Sequence, residues 1–504
     1  MTSETQGTAR KRGRKPKVTM MEQFAKAKRE QPDALLFFRM GDFYELFGED
    51  AKVASRELGI ALTSRSKGPN AIPMAGVPVK SMGGYLMRLV QQGHKVAICE
   101  QMEDPRTTKG IVDRAIVRVV TAGTITEEDV LDARASNWLA CLAPAERRAG
   151  QACAGLAWVD ISTGRLHASE LAGDEIEDEL ARLAPAELLW PESMAESHPE
   201  LARRLGAEFG PRLTDREAWR FERDACLRVL RKQFGVATLK GFGFEDDSPV
   251  VAAAGALVEY LQETQRGACD HVLRLERVDP GNHLVLDRAT RSTLELTITQ
   301  RDARREGTLL DTIDRSLTPM GGRLLREWVL SPLREVDAIL YRQRGVAELV
   351  EAPFLREDVR ELLSDVLDVE RLVAKVSTGR ANGRDLVALA GSLGVVRPLL
   401  DKLESVYSSV LGDLRESLDP LDELVQRVQR TLVDAPPLTL KEGSLVRDGV
   451  DAELDELRQI AGDGKAWMAR FQAQEIERTG MANLKVGFNS VFGYYLEVPR
   501  GQID

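Results

Sequence analysis

Short apolar runs, cut by glycine and proline, set the pattern of the first third of the chain. Met21-Glu22-Gln23-Phe24-Ala25-Lys26-Ala27-Lys28 predicts a helix that ends before Gln31-Pro32, because the residue ahead of a proline is pushed out of the helical region. Residues 35–38 are apolar throughout and predict a short strand. Residues 52–58 predict a helix ending at Gly59, and residues 85–90 another that stops near Gly93. Residues 95–99 and 115–120 are β-rich. Further on, residues 155–162 and 165–168 flank Thr163-Gly164 as the arms of a hairpin. Residues 174–184 read as a helix broken by Pro185, and residues 186–190 as a strand. Strands and helices mixed in this way predict two successive α/β domains.

Beyond Asp287 the period lengthens to that of helices. Leu386, Leu389, Leu393 and Val396 keep helical spacing until Pro398 interrupts. Val450, Leu454, Leu457, Ala461, Gly464, Met468 and Phe471 alternate steps of four and three, the stripe of a long helix packed lengthwise on a partner. Gly462 and Gly464 weaken it. From Asn483 the period shortens again. Leu484-Lys485-Val486-Gly487-Phe488 and Tyr494-Tyr495-Leu496-Glu497-Val498 predict two strands joined by a turn over residues 489–493. No internal repeat is present.

Composition narrows the class. A chain of 504 residues exceeds what one core organises and predicts several domains. Hydrophobic residues at 43% and charged residues at 29% fit a globular protein. The longest apolar run, residues 250–258, falls far short of the ~20 residues of a membrane span. The basic N-terminus lacks the apolar segment of a secretion signal, so a cytoplasmic location is expected. Five cysteines without a CxxC pair and five histidines without ligand spacing predict neither a disulfide framework nor a metal site. The net charge of −10 is unevenly spread. Residues 1–120 hold 21 Lys and Arg against 13 Asp and Glu, a net of +8, which leaves 48 against 66, or −18, for the rest. A basic front offers a polyanion a local surface, and an acidic remainder repels it. Residues 1–18, with Lys11-Arg12-Gly13-Arg14-Lys15-Pro16-Lys17, predict a disordered basic tail, either a solvated tail or an arm for a minor groove.

The chemistry concentrates in Phe38-Arg39-Met40-Gly41-Asp42-Phe43-Tyr44-Glu45-Leu46-Phe47-Gly48-Glu49-Asp50. Phe43 and Glu45 stand two apart after a Gly-Asp turn signal, and in an extended segment such residues share a face. An apolar wedge and a hydrogen-bond acceptor thus point into one groove. Such a wedge unstacks a base step, and the acceptor probes the displaced base edge. The same residue types also fit a packed strand with an acidic rim. Asp42, Glu45, Glu49 and Asp50 would make a local Mg²⁺ site, but no second carboxylate cluster accompanies them. The nucleotide-loop pattern G-x-x-x-x-G-K-[ST] occurs nowhere, and Gly241-Phe242-Gly243 reads as a surface turn. No Ser/His/Asp or Cys/His arrangement emerges. These residues predict no catalytic, metal or cofactor site in this chain and no enzymatic activity of its own.

The run from Phe38 to Asp50 resembles the mismatch-reading motif of the bacterial MutS family of DNA mismatch-recognition proteins. Four further segments resemble that family in the same order. They are Ile72-Pro73-Met74-Ala75-Gly76-Val77-Pro78; Val96-Ala97-Ile98-Cys99-Glu100-Gln101; Thr318-Pro319-Met320-Gly321; and Leu484-Lys485-Val486-Gly487-Phe488-Asn489 with Gly493-Tyr494-Tyr495. The resemblance implies a multidomain fold. After the tail of residues 1–18 come a mismatch-binding α/β domain at 19–130 and a connector α/β domain at 131–275. A mostly α-helical core/lever domain at 276–465 and the start of a β-rich clamp at 466–504 follow. It implies that the chain is an N-terminal portion, without the returning lever and ATPase domain. Phe43 would wedge at a mispair or small loop in double-stranded DNA, supported by Met40, and Glu45 would hydrogen-bond the displaced base. Ionised, Glu45 accepts from a base N–H; protonated, it donates to a purine nitrogen. Arg39, Arg65, Lys67 and Lys80, with Lys485 and Arg500 from the clamp, are the candidates for DNA-backbone contacts. Full-length members of the family are DNA-dependent ATPases that use ATP and Mg²⁺, form homodimers and work with a MutL-type repair partner. Two other readings stay open: a MutS-like DNA clamp without mismatch specificity, and an inactive truncated product.

Overall fold

The computed structural model describes residues 19–64, 68, 71–103, 111–128, 130–148, 151–266, 269–462, 464–489 and 493–498. The basic tail, with Arg65, Lys67 and Arg500, lies outside them. The chain divides into one compact unit of residues 1–381 and 395–420 and another of residues 382–394 and 421–504.

The first unit begins with a six-stranded sheet: β1 (Ala34–Met40), β2 (Phe43–Phe47), β3 (Thr63–Ser64), β4 (Pro73–Pro78), β5 (Lys95–Gln101) and β6 (Arg114–Val120), in the order β3-β4-β2-β1-β5-β6. Alternation along the central strands sorts their side chains onto two faces. Leu35, Phe37, Tyr44, Leu46, Val96 and Ile98 face helices Glu49–Leu58 and Met82–Gln91, which bury Ala51, Ala54, Leu86 and Leu89 among them. Leu36, Phe38, Phe47, Ala97 and Cys99 form the opposite core. Helix Met20–Glu30 covers that core with Phe24, whose ring meets Phe38 and Phe47 edge-on at centroid distances of 5.6 and 5.0 Å. The buried Asp50 locks the layers together, accepting from Leu36 N at 3.0 Å and Lys28 Nζ at 2.8 Å.

A second six-stranded sheet contains β7 (Leu139–Arg148), β8 (Gln151–Asp160), β9 (Arg165–Ala172), β10 (Glu187–Pro191), β11 (Leu213–Arg216) and β12 (Leu275–Arg277), in the order β11-β10-β7-β8-β9-β12. The Thr163-Gly164 turn joins β8 to its antiparallel neighbour β9. One face packs on the apolar helix Val250–Thr264, the other on helices Ile176–Leu183 and Pro199–Phe209. Gly155 in β8 makes the first of these contacts possible, because a Cβ there would overlap the backbone carbonyl of Pro249. Gly155→Ala is expected to cost about 3 kcal/mol, the top of the usual overpacking range, since backbone on both sides leaves no rotamer to relieve it. A lowered urea midpoint for the second sheet measures this, and an unchanged midpoint contradicts the close approach.

The rest of the first unit is helical, with Pro319–Leu330, Val336–Glu351, Pro353–Ser364 and Val369–Ser377 its longer elements. Arg323, 1% exposed, is held by a bidentate pair to Asp368 at 2.6 and 2.8 Å, a bond to Glu370 at 2.6 Å and one to the Ala133 carbonyl at 2.8 Å. The expected interruption at Pro398 falls elsewhere. Helix Gly383–Gly394 breaks at Val395, and Pro398 lies inside helix Val396–Lys402. The first turn of a helix needs no donor from that nitrogen, so proline is tolerated there.

The second unit includes helices Gly383–Gly394, Asp422–Thr431, Ala452–Gly462 and Gly464–Thr479, followed by a hairpin of β13 (Lys485–Asn489) and β14 (Gly493–Glu497). The four-three stripe runs through Ala452–Gly462 and Gly464–Thr479, residue 463 between them lying outside the described residues, and Val450 and Leu457 are exposed along it. Among the described residues no helix is long and apolar enough to cross a membrane.

Candidate nucleic-acid interface

β1 and β2 form a tight hairpin in which Met40 is opposite Phe43, and only Gly41-Asp42 turns the chain. Gly41 takes φ +61°, the conformation that two-residue hairpins with a II′ turn give to glycine at their first position. On its other side Phe43 is opposite Pro78 of β4, and Val79 N donates to Asp42 O at 2.9 Å. Phe43 thus stands where the turn meets a third strand.

The hairpin register decides what each side chain faces. Met40 and Phe38 of β1 share a face with Phe43 and Glu45 of β2, while Arg39 and Tyr44 project from the other. Phe43 is 47% exposed, whereas Tyr44, Leu46 and Phe47 of the same strand are buried and Glu45 is half-buried. The Phe43 ring lies over Gly76 of β4, with Cδ1 3.6 Å from where a Cβ would stand. Met40 packs partly against the core under Helix Met20–Glu30 and is the cross-strand neighbour of Phe43.

The opposite face carries a polar brace. Tyr44 donates its hydroxyl to Glu100 of β5. Burial, and then the Glu100 carboxylate, push the phenol above its ordinary range and keep it a donor. Arg39 reaches Glu100 at 3.5 Å, donates Nε to the Gly41 carbonyl at 2.6 Å and lies 5.4 Å above the Tyr44 ring. On the Phe43 face, Arg114 of β6 sits 5.2 Å over the Phe38 ring and donates Nε to the Arg39 carbonyl at 2.8 Å. Burial lowers its guanidinium from the ordinary value, while the nearby Cys99 and Glu45 oppose that shift.

The predicted residues are therefore partly brought together. Phe43, Glu45 and Met40 share one face of one hairpin; Arg39 lies on the other face, in an ion pair. Lys80 is exposed in the turn after β4, and Lys485 is exposed in the β13–β14 hairpin of the second unit, opposite Glu497. The local carboxylates do not converge: Asp50 is turned inward to Lys28, and Glu49 pairs with Lys52 at 2.6 Å. Among the described residues no group of three or more His, Cys, Asp or Glu is placed to hold a metal ion. Sequence reasoning passed over the roles of Tyr44, Gly76, Glu100 and Arg114. Gly76 and Glu100 nonetheless lie in segments that carried the resemblance, and β4 and β5, which hold those segments, flank the hairpin.

Residues 18–129, 137–273 and 289–486 match the families MutS domain I, MutS domain II and MutS domain III in that order. Over 487 residues, 95% of this chain, it is 43% identical to a DNA mismatch repair protein MutS of Symbiobacterium thermophilum. The chain belongs to the MutS family. A second MutS relative, from Rhodopirellula baltica, is 43% identical over 96% of the chain, and a third, from Salinibacter ruber, 41% identical over 99%. The chain spans about half the length of these MutS relatives, 55%, 56% and 54% respectively. The β1–β2 hairpin with Phe43 lies within the part that matches MutS domain I.

Proposed function

We propose that this chain recognises mispaired bases and small insertion or deletion loops in double-stranded DNA, as the reading portion of a protein that initiates mismatch repair. The observation that carries this reading is the exposure of Phe43, at 47%, on a strand whose other residues are buried or half-buried. The exposed ring shares its face with Glu45, which leaves an apolar group and a polar one open together to a duplex laid against this face. The mismatch names of the relatives and the match to MutS domain I support the same reading.

The proposed mechanism is readout by deformability. Inserting a ring between base pairs breaks stacking, at a cost of a few kcal/mol per step in matched duplex. A mispair has already lost part of that stacking and pairing, so the same insertion costs less there. One ring then discriminates without identifying each base, which suits a site that accepts many mispairs. Glu45, on the same face, adds a polar contact to the displaced base, with Met40 beside the wedge. Lys80 and Lys485, with Arg65, Lys67 and Arg500, are proposed to supply salt-sensitive backbone contacts. We assign residues 19–130 to mismatch binding, 131–275 to the connector, 276–465 to the core and lever, and 466–504 to the start of the clamp. In the full-length protein this recognition is proposed to couple to ATP and Mg²⁺, a homodimer and a MutL-type partner.

Fluorescence anisotropy with duplexes that differ by one G·T mispair tests the reading. Tighter binding of the mispaired duplex at fixed salt is expected, and equal affinity overturns it. Glu45→Gln keeps the size and acceptor oxygen of the side chain, so it is expected to lower the mismatch-to-matched ratio less than Phe43→Ala. A larger loss for the glutamine variant would reverse the order of importance assigned here.

A further inference from the structure

The hairpin that presents Phe43 is held from behind, and the group that holds it was expected to contact DNA. Arg39 leaves β1 on the face opposite Phe43 and Glu45. Its guanidinium joins three things at once: the Gly41 carbonyl in the turn at 2.6 Å, the Glu100 carboxylate on β5 at 3.5 Å and the face of the Tyr44 ring at 5.4 Å. Tyr44 donates to the same Glu100, and Arg114 grips the Arg39 carbonyl at 2.8 Å. The turn is therefore tied through one planar group to a strand on the far side of β1. On the front, the ring rests over Gly76, which presents no side chain to deflect it.

We propose that Arg39, anchored by Glu100, is a positioning residue that fixes the Gly41-Asp42 turn and so sets the direction in which Phe43 enters a duplex. This inference rests on the wedge reading of Phe43. A two-residue turn has few internal bonds, and a wedge works only if its direction is settled before it meets the DNA. Guanidinium suits the task because its fixed fork serves a carbonyl and a carboxylate in one plane while stacking on a ring. A lysine keeps the charge but lacks that geometry. The face and the partners of Arg39 both argue against a phosphate contact beside Phe43.

Three variants of the 504-residue chain, Arg39→Lys, Glu100→Gln and Phe43→Ala, separate the possibilities. Affinity for a G·T duplex and its matched counterpart is measured by anisotropy across a salt series, with thermal melting as a folding control. Arg39→Lys and Glu100→Gln are each expected to lower the mismatch-to-matched ratio by roughly tenfold, since misplacing a working group by about 1 Å costs up to about 10²-fold. Their matched-duplex affinity and salt slope are expected to stay those of the parent. A phosphate contact behaves in the opposite way: Lys substitutes for Arg with the ratio intact, and loss of the contact lowers the slope by about 0.9 for every sequence. A ratio kept by Arg39→Lys, alongside a ratio lost by Phe43→Ala, overturns the positioning role alone. If Phe43→Ala keeps the ratio, the wedge reading fails and the positioning role with it. Should the lysine variant melt early, Glu100→Gln decides, because its amide still accepts from Tyr44 while the ion pair to Arg39 is gone.

Discussion

Phe43→Ala is expected to bring the affinities for mispaired and matched duplex together while leaving the weak, salt-dependent binding of matched DNA largely intact. An aromatic ring stacked on a base contributes about 1–3 kcal/mol. At ~1.4 kcal/mol per factor of ten, its loss lowers mismatch affinity by roughly 5- to 100-fold. Matched duplex does not admit the ring, so it has little to lose, and phosphate contacts are unaffected. The fold is expected to tolerate the change. Phe43 is half exposed at the end of β2, and the neighbouring cores are built from Tyr44, Leu46, Phe47 and their partners. Anisotropy titrations at one salt concentration, with urea unfolding as a control, provide the measurement. A variant that keeps the parent's mismatch preference removes Phe43 from the reading role.

Arg323→Met is expected to destabilise the fold at least as much as Gly155→Ala, and through a different mechanism. Methionine nearly conserves volume, so the change isolates charge rather than creating a cavity. It leaves Asp368, whose side chain is 14% exposed, without its bidentate partner and Glu370 without its bond. Removing one member of a buried ionic group typically costs about 3–5 kcal/mol, because the remaining charge stays desolvated. Two features place the expected loss toward the lower end. The Glu370 side chain is 35% exposed and turns readily to water, and Asp368 keeps its bond to Arg371 N, where it caps helix Val369–Ser377. The readout is the unfolding midpoint of the helical part of the first unit. A triple change of Arg323, Asp368 and Glu370 to apolar residues is expected to recover much of the loss, since replacing a whole buried ionic group is often close to neutral. No recovery would assign the effect to packing.

Much of the architecture was legible where it depended on neighbours in sequence. The helix ending before Pro32, the one closed by Gly59 in the left-handed conformation and the Thr163-Gly164 hairpin follow from short-range backbone preferences. The shared face of Phe43 and Glu45 follows from the period of a strand alone. Pro398 misled because a proline permits a helix to begin as readily as it ends one, and the residue itself does not say which. The partners of Arg39 were not legible for another reason. An arginine next to a candidate reading motif has the same composition whether it faces DNA or a carboxylate 61 positions away, at Glu100.

By itself the sequence determined the local alphabet of this protein: its strand and helix periods, its turns, and the pairing of ring and carboxylate at Phe43 and Glu45. Those properties depend on backbone dihedrals and on residues within a few positions of one another. Only the tertiary structure decided that β4 and β5 flank the hairpin, that Gly76 lies under the Phe43 ring, that Arg39 is tied back to Glu100, and that Arg323 is buried among acids. The order of strands in a sheet and the burial of a charge depend on contacts between residues far apart in the chain, which no short-range pattern encodes.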